Sequence, residues 1–90
     1  MSAPKTLSEL YRASVSKYPN SKDAQRAFRQ DLYRSLSESE KQAIYLEDML
    51  NPYNPTYEQY MGNGWTPEQY EFYVRNSPDA RALFEELYGF

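Results

Sequence analysis

A chain of 90 residues, 40% of them hydrophobic and 26% charged, has the size and composition of one small globular domain. It contains no cysteine and no histidine, which excludes disulfides, thiolate zinc sites, cysteine nucleophiles and the commonest general base. The net charge of -3 is unevenly divided, because residues 1–45 carry eight Lys or Arg against five Asp or Glu, whereas residues 46–90 carry two against eight.

The chain has no segment that predicts contact with a membrane. No apolar run approaches the roughly 20 residues that cross a bilayer, and the opening sequence MSAPKTLSEL lacks the apolar stretch of a signal peptide. The acidic balance also disfavours indiscriminate binding to nucleic acid. These features predict a cytoplasmic protein, or a component of a particle assembled in the cytosol.

Helix starts are marked by a Ser or Thr followed three residues later by Glu or Gln, because the two side chains can satisfy two free amides at a helix N-terminus. The chain contains four such pairs, which begin at Thr6, Ser37, Thr56 and Thr66. Ser77 followed by Pro78 gives a further start. We therefore expect main helices near residues 6–18, 21–36, 38–50 and 78–88, with a short fifth helix at 66–75.

Apolar residues between these starts recur at helical spacing, and no segment alternates as a strand would. The sequence therefore predicts a compact all-α domain that spans residues 1–90 and has no β-sheet. The predicted core contains Leu10, Val15, Phe28, Leu32, Ile44, Leu46, Leu83, Phe84 and Leu87.

Residues 51–65, NPYNPTYEQYMGNGW, are rich in aromatic residues, proline and glycine. We expect a connecting segment with one helical turn. Its rings could fill the core, or they could form a protein-binding surface, since Tyr and Trp are enriched at interface hot spots. A binding surface predicts partly exposed rings, and the candidates are Tyr53, Tyr57, Tyr60 and Trp65.

Residues 54–57 spell N-P-x-Y, which resembles the turn motif that phosphotyrosine-binding domains and endocytic adaptors recognise. In those families the motif lies in a flexible cytoplasmic tail. Here Thr56 is expected to cap a helix, so we interpret the motif as a structural feature.

Lys22, Arg26 and Arg29 recur at helical spacing on the second predicted helix, on a face expected to lie roughly opposite its apolar stripe. Three interpretations remain open. The face could be merely solvated, it could lie along a phosphate backbone, or it could dock the acidic half of a neighbouring copy. The last arrangement would close into rings or continue as filaments.

Catalytic and metal sites are not expected. Glu47 with Asp48 and Glu85 with Glu86 are the only adjacent carboxylates, and neighbours in a helix point about 100° apart, so neither pair converges on one atom. Asp48, Asn51 and Asn54 offer oxygen ligands without the spacing or the glycine of a calcium loop. We expect neither an enzyme nor a bound cofactor or metal.

These observations predict a non-enzymatic protein–protein interaction module that binds through its aromatic segment. Such a module could be a small adaptor, an inhibitor of a larger machine, or a subunit of an ordered assembly such as a virus particle. The expected partner is another protein or further copies of the chain. The alternative is a small nucleic-acid-binding regulator that uses Lys22, Arg26 and Arg29.

Overall fold

The structure, a computed structural model, describes residues 3–90, which form six α-helices and no strand, so the predicted all-α fold is confirmed. None of these helices is long and apolar enough to cross a membrane. In chain order the helices are α1 (Leu7–Lys17), α2 (Lys22–Ser35), α3 (Glu38–Met49), α4 (Pro55–Gly62), α5 (Pro67–Asn76) and α6 (Pro78–Leu87).

Most predicted helix starts are confirmed by the hydrogen bonds at the caps. Ser37 and Thr66 each form a complete capping box with the Glu or Gln three residues later. Ser77 caps α6, with Pro78 at the first helical position. Thr6 accepts a hydrogen bond from the backbone amide of Glu9, but the Glu9 carboxylate accepts from the Lys5 amide, so this box is only half formed.

The expected connection at residues 51–65 contains α4, a helix of eight residues rather than a single turn. The predicted cap at Thr56 is wrong. Asn54 is the cap: its side-chain oxygen accepts from the Thr56 amide at 2.9 Å, and Pro55 occupies the first helical position. The Asn54 side-chain amide also donates to the Asp48 carbonyl at 3.1 Å, which ties the start of α4 to the end of α3.

Replacing Asn54 with alanine is expected to destabilise the fold by about 1 kcal/mol or somewhat more, because an N-cap and a tertiary hydrogen bond are lost together. Thr56→Ala is the matched control, since the Thr56 side chain does not cap the helix. Urea unfolding of both variants measures the difference. A Thr56→Ala protein that loses as much stability as Asn54→Ala would contradict this assignment.

Every helix except α4 contributes buried residues to one core, and side chains of α6 contact both α2 and α3. α1 and α2 form an antiparallel hairpin, α3 packs against α1 and α5, and α5 also contacts α4 and α6. The molecule measures 42 × 24 × 20 Å, and its radius of gyration of 14.2 Å exceeds the roughly 12 Å of a compact domain of this length. This elongation leaves several helix faces without a covering neighbour.

The core is built largely from tyrosine. Leu10, Ile44 and Phe84 are buried as predicted, and Phe28, Leu32 and Leu46 are half-buried. Burial was predicted wrongly for three residues, because Val15, Leu83 and Leu87 are 47%, 61% and 75% exposed. No helix covers their faces in the elongated arrangement, and other residues, three tyrosines among them, fill the interior instead. These residues are Tyr33, Leu36, Tyr45, Met49, Tyr70, Val74 and Ala80.

The buried tyrosines are tolerated because each hydroxyl donates a hydrogen bond to another helix or its end. Tyr45 donates to the Val74 carbonyl at 2.7 Å and Tyr70 to the Met49 carbonyl at 2.8 Å. Tyr33 donates to the Glu85 carboxylate at 2.6 Å. Among residues 3–90 no buried side-chain nitrogen or oxygen lacks a partner. These bonds join α2 to α6, and α3 to α5.

Candidate protein-binding groove

The four candidate rings of residues 51–65 fall into two groups. Tyr53 is 89% exposed and stands in the turn before α4, where its backbone amide donates to the Asn51 side chain at 3.0 Å. Tyr57 and Tyr60 lie on α4, half-buried against the core, and Trp65 follows α4 with 37% of its surface exposed. Partial exposure therefore holds for all four, but to very different degrees.

Three of these rings join two tyrosines of α5 in one aromatic cluster, which comprises Tyr57, Tyr60, Trp65, Tyr70 and Tyr73. Tyr60 is its centre, with ring centroids 4.9 Å from Trp65, 5.3 Å from Tyr70 and 5.6 Å from Tyr73. Gly64, at φ 92°, turns the chain so that the Trp65 amide can donate to the Tyr60 carbonyl. The cluster thus runs from the buried Tyr70 to the exposed edge of Trp65.

An apolar groove of about 220 Å³ opens beside this cluster, between α4, α5 and α6. Tyr60 and Tyr73 form one wall, and Leu83 and Leu87 form the other. Met49 and Phe84 lie deepest, since both are buried. The principal lining residues are Met49, Tyr60, Tyr73, Leu83, Phe84 and Leu87.

The charges around the groove are negative. Asp79 lies one helical turn before Leu83 on α6, and Glu86 lies one turn after it. The Tyr60 hydroxyl, partial burial and the Asp79 carboxylate all raise the pKa of Tyr73.

The only two cations of residues 46–90 are already paired with carboxylates. Arg75 contacts Glu71 at 3.0 Å, and Arg81 contacts Glu38 at 3.0 Å and Glu85 at 3.5 Å. The groove is therefore lined by uncharged residues. Asp79 and Glu86 stand beside Leu83 on α6, and both cations of residues 46–90 are already paired.

The three candidate cations of α2 lie in different environments. Lys22 and Arg26 are exposed, whereas Arg29 is half-buried. Its guanidinium donates to the Ser14 hydroxyl at 3.2 Å and lies 4.1 Å from the centre of the Tyr11 ring, both on α1. Cation–π and hydrogen-bond partners on α1 therefore hold Arg29 against α1, which spacing along α2 alone does not reveal.

The adjacent carboxylates diverge. Asp48 is half-buried, and burial raises its pKa although the Tyr88 hydroxyl donates to it at 3.2 Å, whereas Glu47 is exposed. Glu85 accepts from Tyr33, and Glu86 points to solvent. Within residues 3–90, no three Asp or Glu side chains lie close enough to hold a metal ion together.

Comparisons with protein-family models, with curated proteins and with solved structures give no match. The function is therefore inferred from the geometry alone. The groove was missed in the sequence because Leu83 and Leu87 have the spacing of core residues, and nothing local reveals that no helix covers them.

Proposed function

We propose that this chain is a non-enzymatic protein-interaction module, and that the groove between α4 and α6 is its binding surface. The observation that carries the proposal is the exposure of Leu83 and Leu87 beside the aromatic cluster. Apolar side chains that stand together in water are typical of a surface that a partner covers. Adaptors, inhibitors and assembly subunits all use surfaces of this kind.

The composition of the groove supports a binding surface over a packing defect. Its deepest residues, Met49 and Phe84, are packed into the core, so the groove does not depend on movement of the fold. Full coverage of Leu83 or Leu87 would contribute about 1.5–3 kcal/mol each. Trp65 and Tyr60 at the edge are residue types that dominate binding energy at interfaces.

A capture experiment from the native host tests the proposal. We expect the immobilised wild-type chain to retain a partner protein that the Leu87→Glu variant does not retain, because a carboxylate in the groove would be buried without a counter-charge. Phe72→Glu is the matched control. Phe72 is also an exposed apolar residue, but it lies outside the groove.

Both variants change side chains that are already exposed, so each should keep the circular dichroism spectrum of the wild type. Mass spectrometry compares the retained proteins. If Leu87→Glu and Phe72→Glu retain the same proteins as the wild type, the groove is not the binding surface.

The alternative, a nucleic-acid-binding regulator, is supported by the exposure of Lys22 and Arg26 on α2. Two free cations make a small phosphate-binding surface. A gel-shift titration discriminates between the two functions, since phosphate contacts predict an affinity that falls steeply as salt rises. Loss of such a shift in a Lys22→Glu, Arg26→Glu variant would favour the alternative.

A further inference from the structure

The N-terminal hairpin carries a second exposed apolar stripe. Tyr11, Val15 and Tyr18 recur at the spacing of one helical face, and all three are exposed. Among residues 3–90, Arg29 contacts the Tyr11 ring and Phe28 the Tyr18 ring, but the stripe stays exposed although it has the spacing of a packing face. It is the only exposed apolar stripe of the hairpin at this spacing, and it lies on the part of the chain that carries the positive charge.

Lys22, Arg26 and Arg29 recur at the same spacing on α2, beside this stripe. The guanidinium of Arg29 lies over the Tyr11 ring, and the Gln25 side chain donates to the Tyr18 carbonyl at 2.7 Å. The two helices are antiparallel, so the cationic row follows the apolar stripe along the hairpin. We call this combined surface, formed by Tyr11, Val15, Tyr18, Lys22, Arg26 and Arg29, the basic face.

We propose that the partner of the groove is a second copy of this chain, which docks through its basic face. The inference rests on the proposed function, since it assigns an occupant to the same groove. The two surfaces are complementary in two respects. Each exposes apolar side chains, and the Lys22 and Arg26 side of the basic face carries a charge opposite to that of Asp79 and Glu86 beside the groove. Opposite potentials of this kind steer partners together and fix how they are oriented.

Charge complementarity favours this occupant over an unrelated apolar segment. The half of the chain that holds the groove carries two cations against eight acids, and both cations are paired. The half that holds the basic face carries eight cations against five acids. Any chain that displays the groove also displays its complement at the same concentration.

A single molecule cannot bring the two surfaces together. The basic face lies on α1 and α2, whereas the groove is lined by α4, α5 and α6 with Met49 of α3, and no residue of the basic face lines it. The contact must therefore form between molecules. A surface that binds a different surface of an identical copy generates a ring when the rotation closes and a filament when it does not.

Sedimentation velocity over rising protein concentration tests the inference. We expect the wild type to exceed its monomer mass of 10.7 kDa and to dissociate as salt rises. We compare a groove variant, Leu83→Glu with Leu87→Glu, and a face variant, Val15→Glu with Arg26→Glu. The self-association constant of each should be lower than that of the wild type by a factor of about 30 or more. Phe72→Glu is the matched control and should associate as the wild type does.

Mixing the two variants gives the sharpest result. The groove variant keeps an intact basic face and the face variant keeps an intact groove, so an equimolar mixture should form a dimer with one copy of each. Circular dichroism verifies that both are folded. A mixture that stays monomeric while the wild type associates overturns the inference. Self-association of both variants with the affinity of the wild type also overturns it.

The two proposals can fail separately. A wild type that remains monomeric at all concentrations and salts, yet captures a host protein that Leu87→Glu does not, overturns the self-association and leaves the interaction function intact. Capture by the basic face of an unrelated protein, with the groove variant unaffected, overturns both.

Discussion

Replacing Tyr70 with alanine is expected to leave the protein largely unfolded. Tyr70 has no exposed surface, packs against Tyr57 and Tyr60, and donates a hydrogen bond to the Met49 carbonyl. Removing a buried aromatic ring lowers the free energy of unfolding by about 3–5 kcal/mol. The Met49 carbonyl, left without its donor, lowers it by about 1–3 kcal/mol more. The free energy of unfolding of a small domain is about 5 kcal/mol or little more, so the combined loss is enough to unfold the protein.

Two variants separate the contributions of the ring and the hydroxyl. Tyr70→Phe keeps the ring and should cost only about 1–3 kcal/mol, because the Met49 carbonyl loses its donor. Tyr53→Ala removes an exposed ring and should change stability by about 0.5 kcal/mol or less. Urea unfolding monitored by circular dichroism measures all three, and a Tyr70→Ala protein with near-native stability would refute the assignment of Tyr70 to the core.

Helix starts could be predicted because they depend on residues within one turn of each other. Ser37, Thr66 and Ser77 cap their helices through bonds that span three residues, so the local sequence contains all the necessary information. The start at Thr56 failed because Asn54 and Pro55 compete for the same turn. Asn54 is the cap because its side chain also donates a hydrogen bond to the Asp48 carbonyl of α3, and no local sequence pattern reveals that bond.

The core could be predicted only in part, because periodicity identifies an apolar face but not the helix that covers it. Leu10, Ile44 and Phe84 have covering neighbours, whereas Leu83 and Leu87 have the same spacing and none. Tyr33, Tyr45 and Tyr70 occupy much of the interior, because their hydroxyls donate hydrogen bonds to two carbonyls and a carboxylate on other helices. Such partners are distant in sequence and become visible only in the fold.

The aromatic character of residues 51–65 is visible in the sequence, but the position of the groove is not. Tyr60 lines the groove and contacts Trp65, whereas the apolar wall opposite Tyr60 comes from α6. Arg29 was likewise assigned to an outward face from its spacing with Lys22 and Arg26. Its interaction with Tyr11 depends on how the hairpin packs.

Stability is expected to collapse between pH 10 and about 12, through the buried tyrosines. Burial raises the pKa of Tyr45 and of Tyr70 from the ordinary value of 10.0 to about 12. Burial, then the Asp48 carboxylate, raises the pKa of Tyr88 to about 12 as well. Because the folded state holds these protons more tightly than the unfolded chain, stability is complete below pH 10 and is lost as pH rises toward about 12.

Ionisation linked to each of the two fully buried rings, Tyr45 and Tyr70, then lowers the free energy of unfolding by about 2–3 kcal/mol. The two losses together approach the whole stability of a small domain. Urea unfolding at several alkaline pH values measures the fall. Tyr45→Phe is the informative variant. It should be less stable than the wild type at neutral pH, because the Val74 carbonyl loses its donor.

Above pH 10 the stability of Tyr45→Phe should fall less steeply than that of the wild type, because one fewer buried proton is released on unfolding. The two stability curves should therefore converge as the pH approaches about 12. The chain has no histidine and no cysteine, so no such side chain produces a similar change near neutral pH. If all ten tyrosines ionise with the ordinary pKa of 10.0 while the helical signal stays native, the burial of these rings is contradicted.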